Sequence, residues 1–371
     1  MSILAEELIT QILILLPVKP LLRFQCVSKS WLALITDPYF IKIHAETNTQ
    51  RSLVVESCDW KDDHPPQDYY LVDFSNGDRF GKPVKIFPPF FRPGNLSHTS
   101  VIGCCNGLIC IQKHGCLDCI GDSDYEFVIW NPLIKKHKKL PFEPVDDTHK
   151  LRLHATFGYD PVNDDYKVLR IECGQFLNSD DWALEAVEVK VYSLKAHSWR
   201  RVEDQLPYKE EESFILSESA FLNGAFHWLV ERESGPWTLL AFDLPTEKFG
   251  VQTIPFQPFD VNLKVSLEVL GGSLCIFAGT DVWIMKEYGV ANSWSRLWTL
   301  PMTSCSLVFS EDGEKVLMKK DSLKKKFFWY DIKKKTLMIV ENDLSISNKH
   351  QTATCLEGGS LLLLLDGDSD N

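Results

Sequence analysis

Leu8-Ile9-Thr10-Gln11-Ile12-Leu13-Ile14-Leu15-Leu16-Pro17-Val18-Lys19-Pro20-Leu21-Leu22-Arg23-Phe24-Gln25-Cys26-Val27-Ser28-Lys29-Ser30-Trp31 carries more apolar side chain than so short a segment can bury by itself. The acidic pair Glu6 and Glu7 suits a helix N-terminus, and Pro17 should end that helix. On a helix, Leu8, Ile12 and Leu15/Leu16 form one apolar stripe, and Ile9, Leu13 and Ile14 form another. A surface helix needs one such face, not two. A unit of about 45 residues is near the lower limit for folding alone. The surplus face therefore calls for a partner, either another domain or another protein.

Further along, Val18-Lys19-Pro20 starts a short second helix through Leu21, Leu22 and Phe24. Ser28 is a good N-cap for a third helix holding Trp31, Leu34 and Ile35. Asp37-Pro38 pairs a cap with a proline at the first helical position and opens a fourth helix from Tyr39 to Glu46. This string resembles the F-box. The matching residues are Leu8, Ile12, Leu13, Leu15 to Lys19, Leu21 to Phe24, Cys26 to Trp31, Leu34, Ile35 and Pro38. Ala5 departs from the family, which usually has proline before the paired acids. The resemblance implies that Leu8, Ile12, Leu16, Pro17, Leu22, Val27 and Trp31 bind a Skp-family adaptor, and a cullin through it.

Beyond residue 50 the pattern changes to short strands and turns. Trp130 is followed seven residues on by His137, Tyr192 by Trp199, Phe242 by Phe249 and Tyr330 by Leu337. Each reads as a hairpin whose two strands present large residues to one face. A fifth copy, stretched by four residues, is read from Trp283 to Trp294. A second hairpin precedes each, turning at Asn106-Gly107, Asn163, Asn223-Gly224, Gly271-Gly272 or Asp312-Gly313. Two hairpins repeating at about 50 residues are the pattern of a kelch-like propeller. A sixth turn at Gly358-Gly359 lacks its aromatic hairpin, and Tyr69 to Pro88 is taken to supply the outer strands that complete it. Ser52-Leu53-Val54-Val55 is ambiguous from sequence, an extra strand of that last blade being one option.

The expected fold class is α+β multidomain, a small helical F-box followed by an all-β propeller of about six blades. The expected segments are an F-box over 1–46, a linker with a first strand over 47–67, the propeller over 68–365 and an acidic tail over 366–371. The strings Cys105-Asn106-Gly107-Leu108, Ile129-Trp130-Asn131-Pro132, Phe157-Gly158-Tyr159-Asp160-Pro161 and Asn223-Gly224-Ala225-Phe226-His227-Trp228 resemble the plant F-box-associated interaction domain. So do Asp164 to Val168 and Val189 to Leu194. The overall look is of plant and S-locus F-box-like proteins. The resemblance implies a substrate-recognition subunit of a Skp–cullin–F-box ubiquitin ligase. It leaves open recognition of a basic ribonuclease of the S-locus type, and an F-box module that works without a cullin.

The net charge of −12 lies wholly outside residues 1–46, where Glu6, Glu7, Asp37 and Glu46 balance Lys19, Arg23, Lys29 and Lys42. That argues against nucleic acid, whose phosphates demand a basic footprint. The opening run has no basic leader and no stretch is long enough to span a bilayer, so no membrane contact is expected. Eleven cysteines without a secretory signal read as reduced thiols of a cytosolic or nuclear protein.

Cys116-x-x-Cys119, near Cys104, Cys105 and Cys110, invites a zinc reading, but it lacks a second well-spaced pair, and buried small apolar thiols are the preferred reading. No metal or cofactor is expected. His137 and His227 read as packing residues with a satisfied ring nitrogen, and Asp146-Asp147 and Asp164-Asp165 as solvated turns. No nucleophile elbow, zinc-protease helix or P-loop occurs, so a non-catalytic role is expected. Propellers do host enzymes, and fold alone leaves that class open. Three long insertions, Phe142 to Lys150, Gly174 to Ala183 and Glu203 to Phe214, are candidate recognition loops. Trp182 stands beside Asp180-Asp181, and Tyr208 beside Glu210, Glu211 and Glu212, a combination suited to a basic protein partner.

Overall fold

The computed structural model describes residues 6–47, 51–58, 68–74, 80–89, 99–113, 125–144, 150–175, 184–208, 214–232, 236–255, 265–300, 304–310, 313–320, 327–340, 350–357 and 361–362. The chain divides into two compact units, Met1–Phe142 with Ile346–Asn371, and Glu143–Ser345.

In the first unit, four helices come first: α1 (Glu6–Ile14), α2 (Val18–Phe24), α3 (Lys29–Ile35) and α4 (Pro38–Thr47). The caps read from sequence are made. Ser28 Oγ accepts from the Trp31 amide at 3.2 Å, and Asp37 Oδ1 accepts from the Tyr39 and Phe40 amides at 2.9 and 3.1 Å. The helices close over a core of Leu13, Val18, Leu21, Ile35, Phe40 and Ile41.

Two sheets complete this unit. Strands β1 (Arg51–Cys58), β2 (Asp68–Phe74) and β3 (Val84–Ile86) precede the sheet formed by β4 (Thr99–Cys105), β5 (Leu108–Lys113), β6 (Glu126–Asn131) and β7 (Lys136–Lys139), ordered β4-β5-β6-β7. The second unit holds four sheets. They are β8 (Lys150–Asp160) to β9 (Asp165–Gln175), β10 (Leu184–Ser193) and β11 (Ser198–Arg201); β12 (Phe214–Leu216) to β13 (Ala220–Leu222), β14 (Ala225–Arg232), β15 (Thr238–Asp243) and β16 (Lys248–Thr253); β17 (Val265–Leu270) to β18 (Ser273–Ala278), β19 (Asp281–Met285) and β20 (Trp294–Thr299); and β21 (Ser304–Phe309) to β22 (Lys315–Lys320), β23 (Phe327–Asp331) and β24 (Thr336–Ile339). The sixth sheet returns to the first unit, where β25 (His350–Glu357) pairs with β1 in the order β25-β1-β2-β3. These are the six blades of the propeller.

This corrects the expected last blade. Its second strand is β1, which contains Ser52 to Val55, and not a strand following Gly359. Arg51 lies opposite both Glu357 and Phe74, so segments from opposite ends of the sequence share one sheet and spare β1 an open edge.

Four aromatic hairpins set their spaced residues opposite each other: Trp130 opposite His137, Tyr192 opposite Trp199, Phe242 opposite Phe249 and Tyr330 opposite Leu337. The fifth does not. Trp283 faces Arg296, and Trp294 faces Met285, because a 3₁₀ turn at Ala291–Ser293 lengthens the loop and a bulge shifts the ladder. The first strand of the third blade in chain order is broken into β12 and β13, where Ser217 Oγ accepts from the Leu229 amide at 2.9 Å.

Apolar side chains pack between neighbouring blades. Leu169, Val191 and Trp228 share one core, and Leu229, Ile276 and Met285 another. Glycines serve two separate ends. Asn223 and Gly224 both take positive φ, +53° and +74°, as the tight turn between β13 and β14 requires. At Gly158 the reason is packing, since a Cβ there would lie 2.5 Å from the Phe221 ring.

Asp165 is a second correction. It is buried, accepting from Ser193 Oγ and, at 2.9 Å, from the Lys195 amide, while Asp164 is exposed. Asp146-Asp147 lies outside the described residues.

Candidate functional site

Helix α1 sorts its two stripes. Leu13 is buried, and Ile9 and Ile14 pack beside it. Leu8, Ile12 and Leu15 point outward, and Leu15 is 74% exposed. Positions separated by four and then three residues lie on one helical face, so the outer stripe is continuous. Pro17 is exposed at the junction with α2, where its carbonyl accepts from the Leu21 amide at 3.3 Å. Val27, 58% exposed, sits in the turn between α2 and α3.

The remaining sequence-derived candidates face inward in part. Leu16, Leu22 and Trp31 are half-buried against the helical core. Trp31 meets Phe24 edge-to-face with ring centroids 5.5 Å apart. Leu32 and Tyr39 are further exposed apolar side chains that sequence reading did not single out.

The junction carrying Leu16 and Pro17 is held from α4. His44 Nε2 lies 2.8 Å from the Leu16 carbonyl, and a carbonyl only accepts, so this nitrogen carries the proton. Burial lowers the His44 pKa, only partly offset by that hydrogen bond. Stacking on Phe40, with centroids 6.1 Å apart, fixes the ring.

On the propeller side, Tyr208 packs partly buried against an apolar core, and its hydroxyl lies 3.1 Å from Thr238 Oγ1. Trp182, Glu210, Glu211 and Glu212 lie outside the described residues, as do Cys116 and Cys119. Among the described residues no group of three or more His, Cys, Asp or Glu side chains could hold a metal ion. Burial pushes the Cys110 thiol well up and the Cys275 thiol up to about 12, so both are unreactive packing groups. Buried His227 has Nδ1 3.3 Å from the Ala220 carbonyl and Nε2 3.0 Å from the Tyr288 hydroxyl. No helix among the described residues is long and apolar enough to cross a membrane.

Four helices ahead of six antiparallel blades define the class, an F-box joined to a kelch-like propeller. Residues 81–357 match the F-box associated beta propeller domain, and residues 1–43 match the F-box domain. The chain belongs to the F-box associated β-propeller family. It is 28% identical to F-box protein CPR1 of Arabidopsis thaliana, over 100% of this chain and 91% of that protein. It is 27% identical to F-box/kelch-repeat protein At3g23880 of Arabidopsis thaliana, over 80% of this chain and 79% of the relative. Among solved structures, TolB from Acinetobacter baumannii aligns with a TM-score of 0.46 at 9% identity, over 85% of this chain and 64% of TolB, a similarity too slight to carry a functional argument. An F-box with a propeller supports, in general terms, the role of a substrate receptor in an SCF-type ligase, an architecture typical of non-catalytic adaptors.

Proposed function

We propose that this chain is the substrate-recognition subunit of a Skp–cullin–F-box ubiquitin ligase, with the helical unit binding a Skp-family adaptor and the propeller holding a protein for ubiquitination. The observation that carries this reading is the stripe Leu8, Ile12 and Leu15, left in solvent while Leu13 on the same helix is buried. Exposed leucine and isoleucine at helical spacing suit a partner's apolar groove. Pro17 and Val27 extend the docking surface, and Leu16, Leu22 and Trp31 support it from the core side. The chain does no chemistry in this scheme. It brings a target and a ubiquitin-charged enzyme together, so its contribution is proximity.

Target capture falls to loops of the propeller. Tyr208, Trp182, Glu210, Glu211 and Glu212 would present aromatic and acidic chemistry to a basic protein.

The test is adaptor binding by the purified chain and by Leu15→Glu. The wild type should bind and the variant should lose binding with its melting temperature unchanged. A wild type that ignores every Skp-family adaptor tried would refute the reading.

A further inference from the structure

The core of the F-box is not built by residues 6–47 alone. Leu361 has no exposed surface and packs in the same cluster as Leu21, Ile35 and Phe40, with Leu362 beside it. Leu133 and Ile134, from the turn between β6 and β7, pack against that cluster too. Polar contacts tie the same place. Asn131 Nδ2 donates to the Leu362 carbonyl at 3.1 Å, and Lys19 Nζ donates to Asp73 Oδ2 of β2 at 3.3 Å.

A helical unit this small buries too little surface to be stable without outside help. Here the help comes from a segment that follows the last strand. Leu13, of the inner stripe of α1, belongs to the same buried cluster as this segment.

We infer that Leu361 and Leu362 form a clasp that makes the F-box competent only in a chain translated through residue 362; the adaptor half of this inference rests on the function proposed above. When only a fraction of a protein holds the binding form, apparent affinity falls by that fraction. A chain stopped short of the clasp would keep the whole apolar sequence of α1 and still present it poorly. Receptors lacking their last blade strand would thereby be kept from competing for adaptor.

The experiment uses the full chain carrying Leu361→Asp, which leaves β25 intact. Hydrogen exchange read by mass spectrometry should quicken across α1 to α4 by about tenfold or more, with β8 to β24 unchanged. Adaptor affinity should weaken by about tenfold or more, and Leu361→Met, which conserves volume, should retain both properties. If Leu361→Asp does not yield soluble protein, Leu361→Ala with Leu362→Ala makes the same test through lost packing. Unchanged exchange in the helices would overturn the clasp. Faster exchange with unchanged affinity would overturn its role in competence. A wild type that binds no adaptor would remove the proposed function, and the clasp would then be judged by exchange alone.

Discussion

Asn131 and Leu362 are joined across 231 residues of chain by a hydrogen bond of 3.1 Å, from the side-chain amide to the backbone carbonyl. The same asparagine accepts at Oδ1 from the Leu133 amide at 3.1 Å, shaping the turn that carries Leu133 into the helical core. Corresponding turns in three other blades use Ser193, Asp243 and Asp331 as the acceptor. The carboxylates of Asp243 and Asp331 can close such a turn but cannot donate, and the Ser193 hydroxyl gives its proton to Asp165. Asparagine at 131 does both, which ties the residue choice to the docking of the segment at Leu362.

Replacing Asn131 with aspartate should therefore keep the turn and lose the tie. The Leu362 carbonyl would then face a buried carboxylate, at a cost of about 1–3 kcal/mol. Urea unfolding with helix-specific exchange measures it. Asp243→Asn, which retains its acceptor oxygen, should cost less than about 1 kcal/mol. Equal losses from the two changes would break the argument.

The two faces of α1 should separate in a melting experiment. Leu13→Ala removes a buried side chain and should cost about 2–5 kcal/mol. Leu15→Glu changes an exposed one and should stay within about 0.5 kcal/mol. Because Leu16 packs on the core, changing Leu16-Pro17 to alanines mixes lost stability with lost binding. Leu8, Ile12 and Leu15 are the cleaner positions. A Leu15→Glu protein that melts like Leu13→Ala would mean α1 packs with its other face inward.

Local pattern made part of this legible. Caps at Ser28 and Asp37 act within one turn, and opposed aromatics seven residues apart fix a hairpin register through a short loop. Trp283 escaped because a bulge and a 3₁₀ turn have no signature in spacing alone. Leu361 escaped because a leucine-rich run reads as a strand, while its partners Leu21 and Phe40 lie in helices at the other end of the sequence. Asp165 looked solvated because its partners, Ser193 and Lys195, come from the next hairpin. The exposed stripe was visible as a surplus of apolar positions. Which stripe faced out depended on what covered the other.

His227 gives a pH signature. Burial depresses its pKa from 6.5 to about 4 against the opposing hydrogen bonds from the Ala220 and Ala225 backbone. The unfolded chain therefore takes up a proton first as pH falls. The stability contribution is whole above about 6.5 and is lost as pH drops toward about 4. Replacing His227 with glutamine should flatten the slope of stability against pH across that window. An unchanged slope would mean other groups carry it.

The last prediction concerns a buried cation. Lys167 is 5% exposed, and its Nζ donates to Asp160 Oδ2 at 2.8 Å, to the Leu244 carbonyl at 3.0 Å and to Glu247 Oε1 at 3.1 Å. Arg200 also pairs with Glu247. Asp160 in turn accepts from the Val162 and Asn163 amides, both at 3.0 Å, so one carboxylate shapes the β8–β9 turn and anchors the lysine reaching the β15–β16 hairpin. Burial raises the Asp160 pKa, but the bonds from Asn163 and Lys167 outweigh it and hold the carboxyl below its ordinary value. Its contribution is therefore present at neutral pH and fades only as pH falls below the ordinary aspartate value, near 3.8, toward the lower folded one. Removing one partner of a buried pair leaves an uncompensated charge, so Lys167→Met should cost about 3–5 kcal/mol. Adding Asp160→Asn removes that charge while keeping an acceptor for the turn, and should restore part of the loss. Urea unfolding of the two variants decides the matter. A single variant as stable as wild type, or a double variant worse by the sum of two independent losses, would show that the lysine does not latch these blades together.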